Sequence, residues 1–163
     1  MNAVESIERI SALLALYRES HYDVDLPEGG IATIRVGESA PAQIAEWIGA
    51  SEFAAFMTAC NPHSRSLTND ENEHRLDALR RRVLQHGGAF LAGAGHIPGE
   101  SWREPSLLVR GLDAATVDGL AREYEQNGIL IVPPRAAAFL KLYRSDWELA
   151  LGRVADVQWA TSR

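Results

Sequence analysis

The segment Phe53–Met57 limits the fold of this chain more than any other part of the sequence. Every residue in it is apolar, and such a strand is typical of a sheet interior that is covered on both faces. A strand with one wet face would alternate between apolar and polar residues instead. We therefore predict a central strand here, and it ends abruptly at Asn61 and Pro62.

The helix that follows has the clearest boundaries in the sequence. Thr68 and Glu71 have the spacing of a capping box, in which a hydroxyl and a glutamate each satisfy a free backbone N–H group of the first turn. Apolar residues then recur at helical spacing from Leu76 to Val83, and Gly87 supplies a stop signal. The pattern predicts a helix that begins directly after a polar loop.

Helical and strand patterns alternate along the rest of the chain. Helices are predicted over residues 4–20, after Pro41 and after Asp113. Further strands are predicted over residues 31–36, 89–92, 107–109, 129–132 and 139–143, although the last segment also fits a helix. This order predicts an α/β sandwich, with helices packed on a central mixed sheet of about five or six strands.

Length and composition restrict the domain organisation and the partners. A chain of 163 residues, 46% of them hydrophobic, suits one domain better than two. We predict a single α/β domain over residues 1–134 and a C-terminal extension over residues 135–163 that docks on it. The net charge of −6 argues against broad nucleic-acid binding, because that binding needs a basic surface.

The sequence also lacks several specialised signals. The single Cys60 excludes an internal disulfide framework and a cysteine-based zinc finger. The N-terminus has no signal-peptide pattern, and no apolar run approaches the roughly 18 residues of a membrane helix. Dinucleotide and phosphate-loop fingerprints and paired metal-ligand motifs are absent. We therefore predict a soluble cytoplasmic protein with no cofactor, no metal site and no membrane partner.

Polar residues stand where the apolar segments begin or end. In an α/β protein, these positions are where ligands are usually held. The ligand-binding residues that this pattern predicts are Asn61, Ser64, Asn72, Trp102, Ser106 and Asn127. Asn72 shares a helix face with Leu76 and Leu79, so its amide needs a hydrogen-bonding partner. We expect that partner to be Asn61, in a pair that either fixes the loop or contacts a ligand.

Glu104 and His63 are the candidate catalytic residues. Glu104 stands at a strand entry between apolar or rigid neighbours, where partial burial would raise its pKa and suit it to acid or base chemistry. A structural role as a hydrogen-bond acceptor is the alternative. His63 lies beside Ser64 in a loop, but adjacent residues seldom reach the geometry of a nucleophile and its base.

The polar blocks together resemble a known family. They are Thr58-Ala59-Cys60-Asn61-Pro62-His63-Ser64, Glu71-Asn72, Glu104-Pro105-Ser106-Leu107-Leu108-Val109 and Gln126-Asn127. This combination, over roughly residues 17–132, resembles a group of short bacterial proteins classed as a domain of unknown function. The resemblance implies a bacterial origin and carries no activity with it.

Three functions are compatible with these features. The leading prediction is a module that binds a small polar or nucleotide-like ligand through uncharged donors and acceptors. The first alternative is an acid/base hydrolase that uses Glu104 and His63. The second is an assembly protein or homo-oligomer that associates through the tail containing Trp147 and Trp159.

Overall fold

Helices and strands are interspersed along the chain in a mixed α/β fold. The computed structural model describes residues 5–160. Its helices are α1 Ile7–Glu19, α2 Ala42–Ile48, α3 Asn69–Gln85, α4 Ala114–Glu123 and α5 Ser145–Leu151. Its strands are β1 His21–Asp25, β2 Ile31–Ile34, β3 Ala54–Met57, β4 Ala89–His96, β5 Arg103–Arg110, β6 Gly128–Val132, β7 Phe139–Leu142 and β8 Val157–Trp159. A short 3-10 turn, Pro62–Ser64, lies between β3 and α3.

The strands form one eight-stranded sheet in the order β2-β1-β4-β5-β3-β6-β7-β8. Neighbouring strands are antiparallel except β7 and β8, which are parallel, so the sheet is mixed as predicted. The prediction of about five or six strands was too low. The additional strands are β1, which is rich in polar residues, and β8, which has only three residues.

Strand β3 has the central, doubly covered position that its apolar sequence predicts. It pairs with β5 on one side and with β6 on the other. Ala54 and Phe56 pack into one core with α1, α2 and α5, whereas Ala55 and Met57 pack into a second core with α3 and α4. Successive side chains of a strand point to opposite faces, so every position of β3 is buried.

The sheet curls until its two ends approach each other. The backbone N–H group of Gly37, just after the edge strand β2, donates to the carbonyl of Ala138 over 2.8 Å. In return, the N–H group of Ala138 donates to the carbonyl of Glu38 over 2.9 Å. Ala138 directly precedes β7 near the opposite end of the sheet. The curl partly encloses the core that contains α1.

The segment after Pro134 takes part in the same sheet and core. Strand β7 pairs with β6, and β8 pairs with β7. Trp147 of α5 is completely buried, and its indole Nε1 donates to the carboxylate of Glu5 over 2.7 Å. In residues 5–160, no helix combines the length and apolar character needed to cross a membrane.

The capping box predicted for α3 is confirmed. The Thr68 side chain accepts from the Glu71 N–H group, and the Glu71 carboxylate accepts from the Thr68 N–H group. The helix then runs to Gln85, and Gly87 follows it with a left-handed φ of 81°. This firm start fixes the loop that joins β3 to α3.

Candidate functional site

A cavity of about 360 Å³ opens between helix α1 and the sheet. Its lining comes from α1, from the end of β3 and the loop that follows it, and from the starts of β5 and β6. Because β3 is antiparallel to both β5 and β6, its end and their starts lie at the same edge of the sheet. The volume is within the range of small-molecule sites.

Six of the eight residues predicted for the site line this cavity. They are Asn61, Ser64, Trp102, Glu104, Ser106 and Asn127. They come from three segments that are far apart in the sequence, and Glu104 and Ser106 belong to the start of β5. Asn72 and His63 are not among the lining residues.

Asn72 holds Asn61 in place from behind the cavity wall. Its Oδ1 accepts from the backbone N–H group of Asn61, and its Nδ2 donates to Asn61 Oδ1, each over 2.9 Å. Asn61 Oδ1 also accepts from the backbone N–H group of Leu67 over 3.1 Å. The predicted proximity of Asn61 and Asn72 is therefore confirmed, and the contacts of Asn72 are those of a loop-fixing amide.

Asn61 in turn presents its amide to Glu104. Asn61 Nδ2 donates to Glu104 Oε2 over 2.9 Å. Within residues 5–160, Glu104 makes no ion pair, and this is its only side-chain hydrogen bond. Burial raises the pKa of Glu104, and the hydrogen bond from Asn61 offsets the increase only in part. The result is a poorly solvated carboxyl group with one uncommitted oxygen atom.

A second hydrogen-bond network at the cavity centres on Asn127. The amide Nδ2 of Asn127 donates to Ser64 Oγ over 2.9 Å and, more weakly, to Tyr17 Oη over 3.4 Å. Its Oδ1 accepts from Arg144 Nη1 over 3.0 Å. Arg144 is itself held by Glu5, at 3.2 Å. Asn127 thus orients two hydroxyl groups, both of which line the cavity.

The loop between β3 and α3 has an unusual backbone. Asn61, His63 and Ser64 have left-handed φ values of 47°, 48° and 61°. A non-glycine residue in this region costs about 1–3 kcal/mol, so surrounding contacts must stabilise it. The Asn61 contacts described above supply part of that support, and the N–H group of His63 donates to the carbonyl of Glu125 over 2.7 Å.

His63 of this loop lies outside the cavity lining. His63 is exposed, and in the described part of the chain no hydrogen bond joins its ring to Glu104. The pairing of His63 with Glu104, on which the predicted hydrolase depends, is therefore not formed in this structure.

The cavity walls are largely apolar and aromatic. The rings of Tyr22 and Phe56 meet edge to face with centroids 5.2 Å apart. Leu130 and Leu140 are buried at the wall, whereas Trp102 lies at the rim and is 50% exposed. Such walls suit a flat ligand that contacts ring faces and edges.

A comparison with protein-family models matches the part of the chain that carries most of the cavity's polar residues. Residues 57–129 match the family model described as Protein of unknown function (DUF3293). This match confirms the predicted resemblance to a family of unknown function. No curated protein and no solved structure shows detectable similarity to the chain. The matched region includes the polar loop, α3, β5 and Asn127, but not helix α1.

Sequence reasoning missed Tyr17 as a site residue because it lies on the apolar stripe of α1. Its hydroxyl lies among Asn127, Ser64 and Glu104, and burial raises its pKa. The only signal in the sequence was a phenol on a helix face otherwise composed of aliphatic residues. Gln126 was missed as well, and its Nε2 donates to the carbonyl of Cys60 over 3.0 Å.

The cavity contains no obvious metal centre. In residues 5–160, no three side chains of histidine, cysteine, aspartate or glutamate are close enough together to hold a metal ion. The chemistry available at the site is hydrogen bonding by Glu104, Tyr17 and Ser64 beside aromatic walls.

Proposed function

We propose that this protein binds a small, flat and partly polar organic molecule in the cavity beside helix α1. The observation that carries the proposal is the convergence of Glu104, Tyr17 and Ser64 on one apolar cavity. A mostly apolar pocket with a few fixed polar groups is the usual form of a small-molecule site. The networks through Asn61 and Asn127 support it, because they position these groups before any ligand arrives.

The cavity suits the base or nucleoside part of a nucleotide-like ligand better than its phosphate. No arginine, lysine or histidine is among the cavity-lining residues of the described chain. Arg103, which directly precedes Glu104, pairs with Asp23, and its Nη2 lies 3.5 Å from Asp23 Oδ2. A phosphate in the cavity would therefore lack a cationic partner and would lie near Glu104.

The alternatives have less support. A hydrolase would need a base within reach of Glu104, and His63 is exposed away from the cavity. An assembly role was suggested by the tail tryptophans, but Trp147 is completely covered by its own chain. The indole of Trp159 is half-buried and donates to the carbonyl of Gly152 over 3.0 Å.

Two matched leucine variants test the proposal. Leu16 on α1 is 45% exposed and lines the cavity, whereas Leu84 on α3 is 58% exposed and does not. We expect Leu16→Arg to place a long cationic side chain at the mouth and to block the cavity, while Leu84→Arg makes the same change elsewhere. Both residue types are good helix formers, so the folds should survive.

The measurement is a ligand-observed NMR screen of flat polar fragments, followed by amide chemical-shift mapping on the full chain. We expect fragments that bind the wild type and the Leu84→Arg variant to lose binding to the Leu16→Arg variant. A screen without any cavity binder, or binders that tolerate Leu16→Arg, would refute the proposal.

A further inference from the structure

Some hydrogen-bonding groups around the cavity already have partners within the protein, whereas others do not. The amide donors of Asn61, Asn127 and Gln126 already donate to protein acceptors. The hydroxyl groups of Thr58 and Ser106 donate to the carbonyls of Pro105 and Glu104. By contrast, only one oxygen of the Glu104 carboxylate has a hydrogen bond from the described residues. The hydroxyl groups of Tyr17 and Ser64, which accept from Asn127, each keep an O–H donor. Glu104 differs from them because it is an ionisable acceptor, and charge-assisted hydrogen bonds are the stronger ones.

The charges around the cavity point in the same direction. The described lining contains two carboxylates, those of Glu100 and Glu104, and no arginine, lysine or histidine side chain. A buried carboxylate without a cation is costly, so a ligand that supplies positive charge or N–H groups would be favoured. An anionic ligand would be repelled.

The carboxylate of Glu104 has room for two donors. An ionised carboxylate offers about four lone-pair sites over its two oxygens. Asn61 occupies one site on Oε2, which leaves Oε1 and a second site on Oε2. Two parallel N–H groups fit that arrangement, as in the forked pairing of a guanidinium with a carboxylate.

We propose that the cavity selects flat ring molecules carrying an amidine-type edge, with N–H groups on two nitrogen atoms that share one carbon. Glu104 accepts both N–H groups, while Tyr22, Phe56 and Trp102 contact the ring. This chemistry occurs in an aryl amidinium cation and in the neutral edge of a 2-amino-4-oxopyrimidine. The inference rests on the proposed function and specifies its ligand class.

The test compares three flat probes on the full-length protein by NMR titration. Benzamidine carries a charged amidine edge, and 2-amino-4-oxopyrimidine carries a neutral one, formed by its ring N3–H and its 2-amino group. Benzamide has the same shape as benzamidine but replaces one nitrogen donor with a carbonyl oxygen. We expect benzamidine to bind at least about tenfold more tightly than benzamide, because charge-assisted hydrogen bonds are roughly twice as strong as neutral ones. Tighter binding of the pyrimidine than of benzamide supports selection of the two-donor edge. Weaker binding would overturn that selection, because the preference for benzamidine would then follow from its positive charge alone.

Two glutamate variants distinguish direct hydrogen bonding by Glu104 from the general effect of negative charge near the cavity. Glu104→Gln keeps an acceptor for Asn61 but gives the cavity an N–H donor, so the preference for benzamidine over benzamide should vanish or reverse. Glu100→Gln removes the same charge from an exposed position of the lining, and should leave most of the preference intact.

The selectivity of the wild type is a test by itself, because it does not depend on a variant folding. Equal binding of benzamidine and benzamide would overturn the inference, as would equal losses in the two glutamate variants. If other fragments still bind in the cavity and are lost in Leu16→Arg, only the ligand class is wrong. If no fragment binds there, the proposed function fails with it.

Discussion

Replacing Asn72 with alanine should destabilise the protein through the loop that carries Asn61. The substitution removes the two 2.9 Å hydrogen bonds between these residues and leaves the backbone N–H group of Asn61 without its partner. Each hydrogen bond contributes about 0.5–1.5 kcal/mol net, and an unsatisfied buried donor costs about 1–3 kcal/mol. Alanine regains up to about 0.7 kcal/mol of helix propensity. Because Asn72 is only partly buried, we expect a loss of about 2 kcal/mol in the free energy of unfolding.

Asn69→Ala is the matched control for this prediction. Asn69 is the first residue of the same helix, it is exposed, and in the described chain its side chain makes no hydrogen bond. We expect its free energy of unfolding to change by less than about 0.5 kcal/mol.

Urea denaturation followed by circular dichroism measures both variants. A shift of the midpoint at constant m-value reports the change in stability. If Asn72→Ala is no less stable than Asn69→Ala, the two asparagines do not support the left-handed loop, and the pre-positioning of Glu104 through Asn61 loses its basis.

Two further predictions concern Glu104 and the glycines. Because burial raises the folded-state pKa of Glu104, its contribution to stability is full below the unfolded pKa and is lost as pH rises through the folded value. The stability of the Glu104→Gln variant relative to the wild type should therefore increase as the pH rises from acidic to neutral. Urea denaturation at several pH values measures this difference in the free energy of unfolding. A difference that does not change with pH would contradict the prediction. Gly93→Ala would place a Cβ atom 2.4 Å from the Asp23 carbonyl oxygen and 3.1 Å from the Phe56 ring, so thermal unfolding should show a loss of about 1–3 kcal/mol. Gly119→Ala meets open space within helix α4 and should gain about 0.5–1 kcal/mol; the same sign for both glycine variants would refute the packing argument.

The sequence predicted those elements whose signals are local. Strand β3 is apolar throughout, and α3 begins with a capping box, so both were found near their observed limits. Strand β1 was missed because Asp23 and His96 are polar residues that pair across strands, 2.8 Å apart. That pairing depends on a contact between distant parts of the chain, which a local pattern does not contain.

The same distinction applies to the site. The loops with Asn61, Glu104 and Asn127 were predicted to meet because strand ends gather at one edge of a sheet. Tyr17 could not be assigned in this way, since its role depends on how α1 packs across the curled sheet. His63 is exposed and lies outside the cavity lining, in a loop where its own φ is a left-handed 48° and for which no glycine gave a signal.

The junction between residues 37–39 and Ala138 has a consequence for biosynthesis. About a hundred residues of chain separate the two partners, so their pairing carries a loop-closure cost and cannot form before residue 138 has been synthesised. During translation, helix α1 and the first strands emerge from the ribosome long before β7 can cover them. The apolar wall that includes Leu140 is therefore completed only after β7 has been synthesised, so the cavity forms later than helix α1 and the strands that precede it.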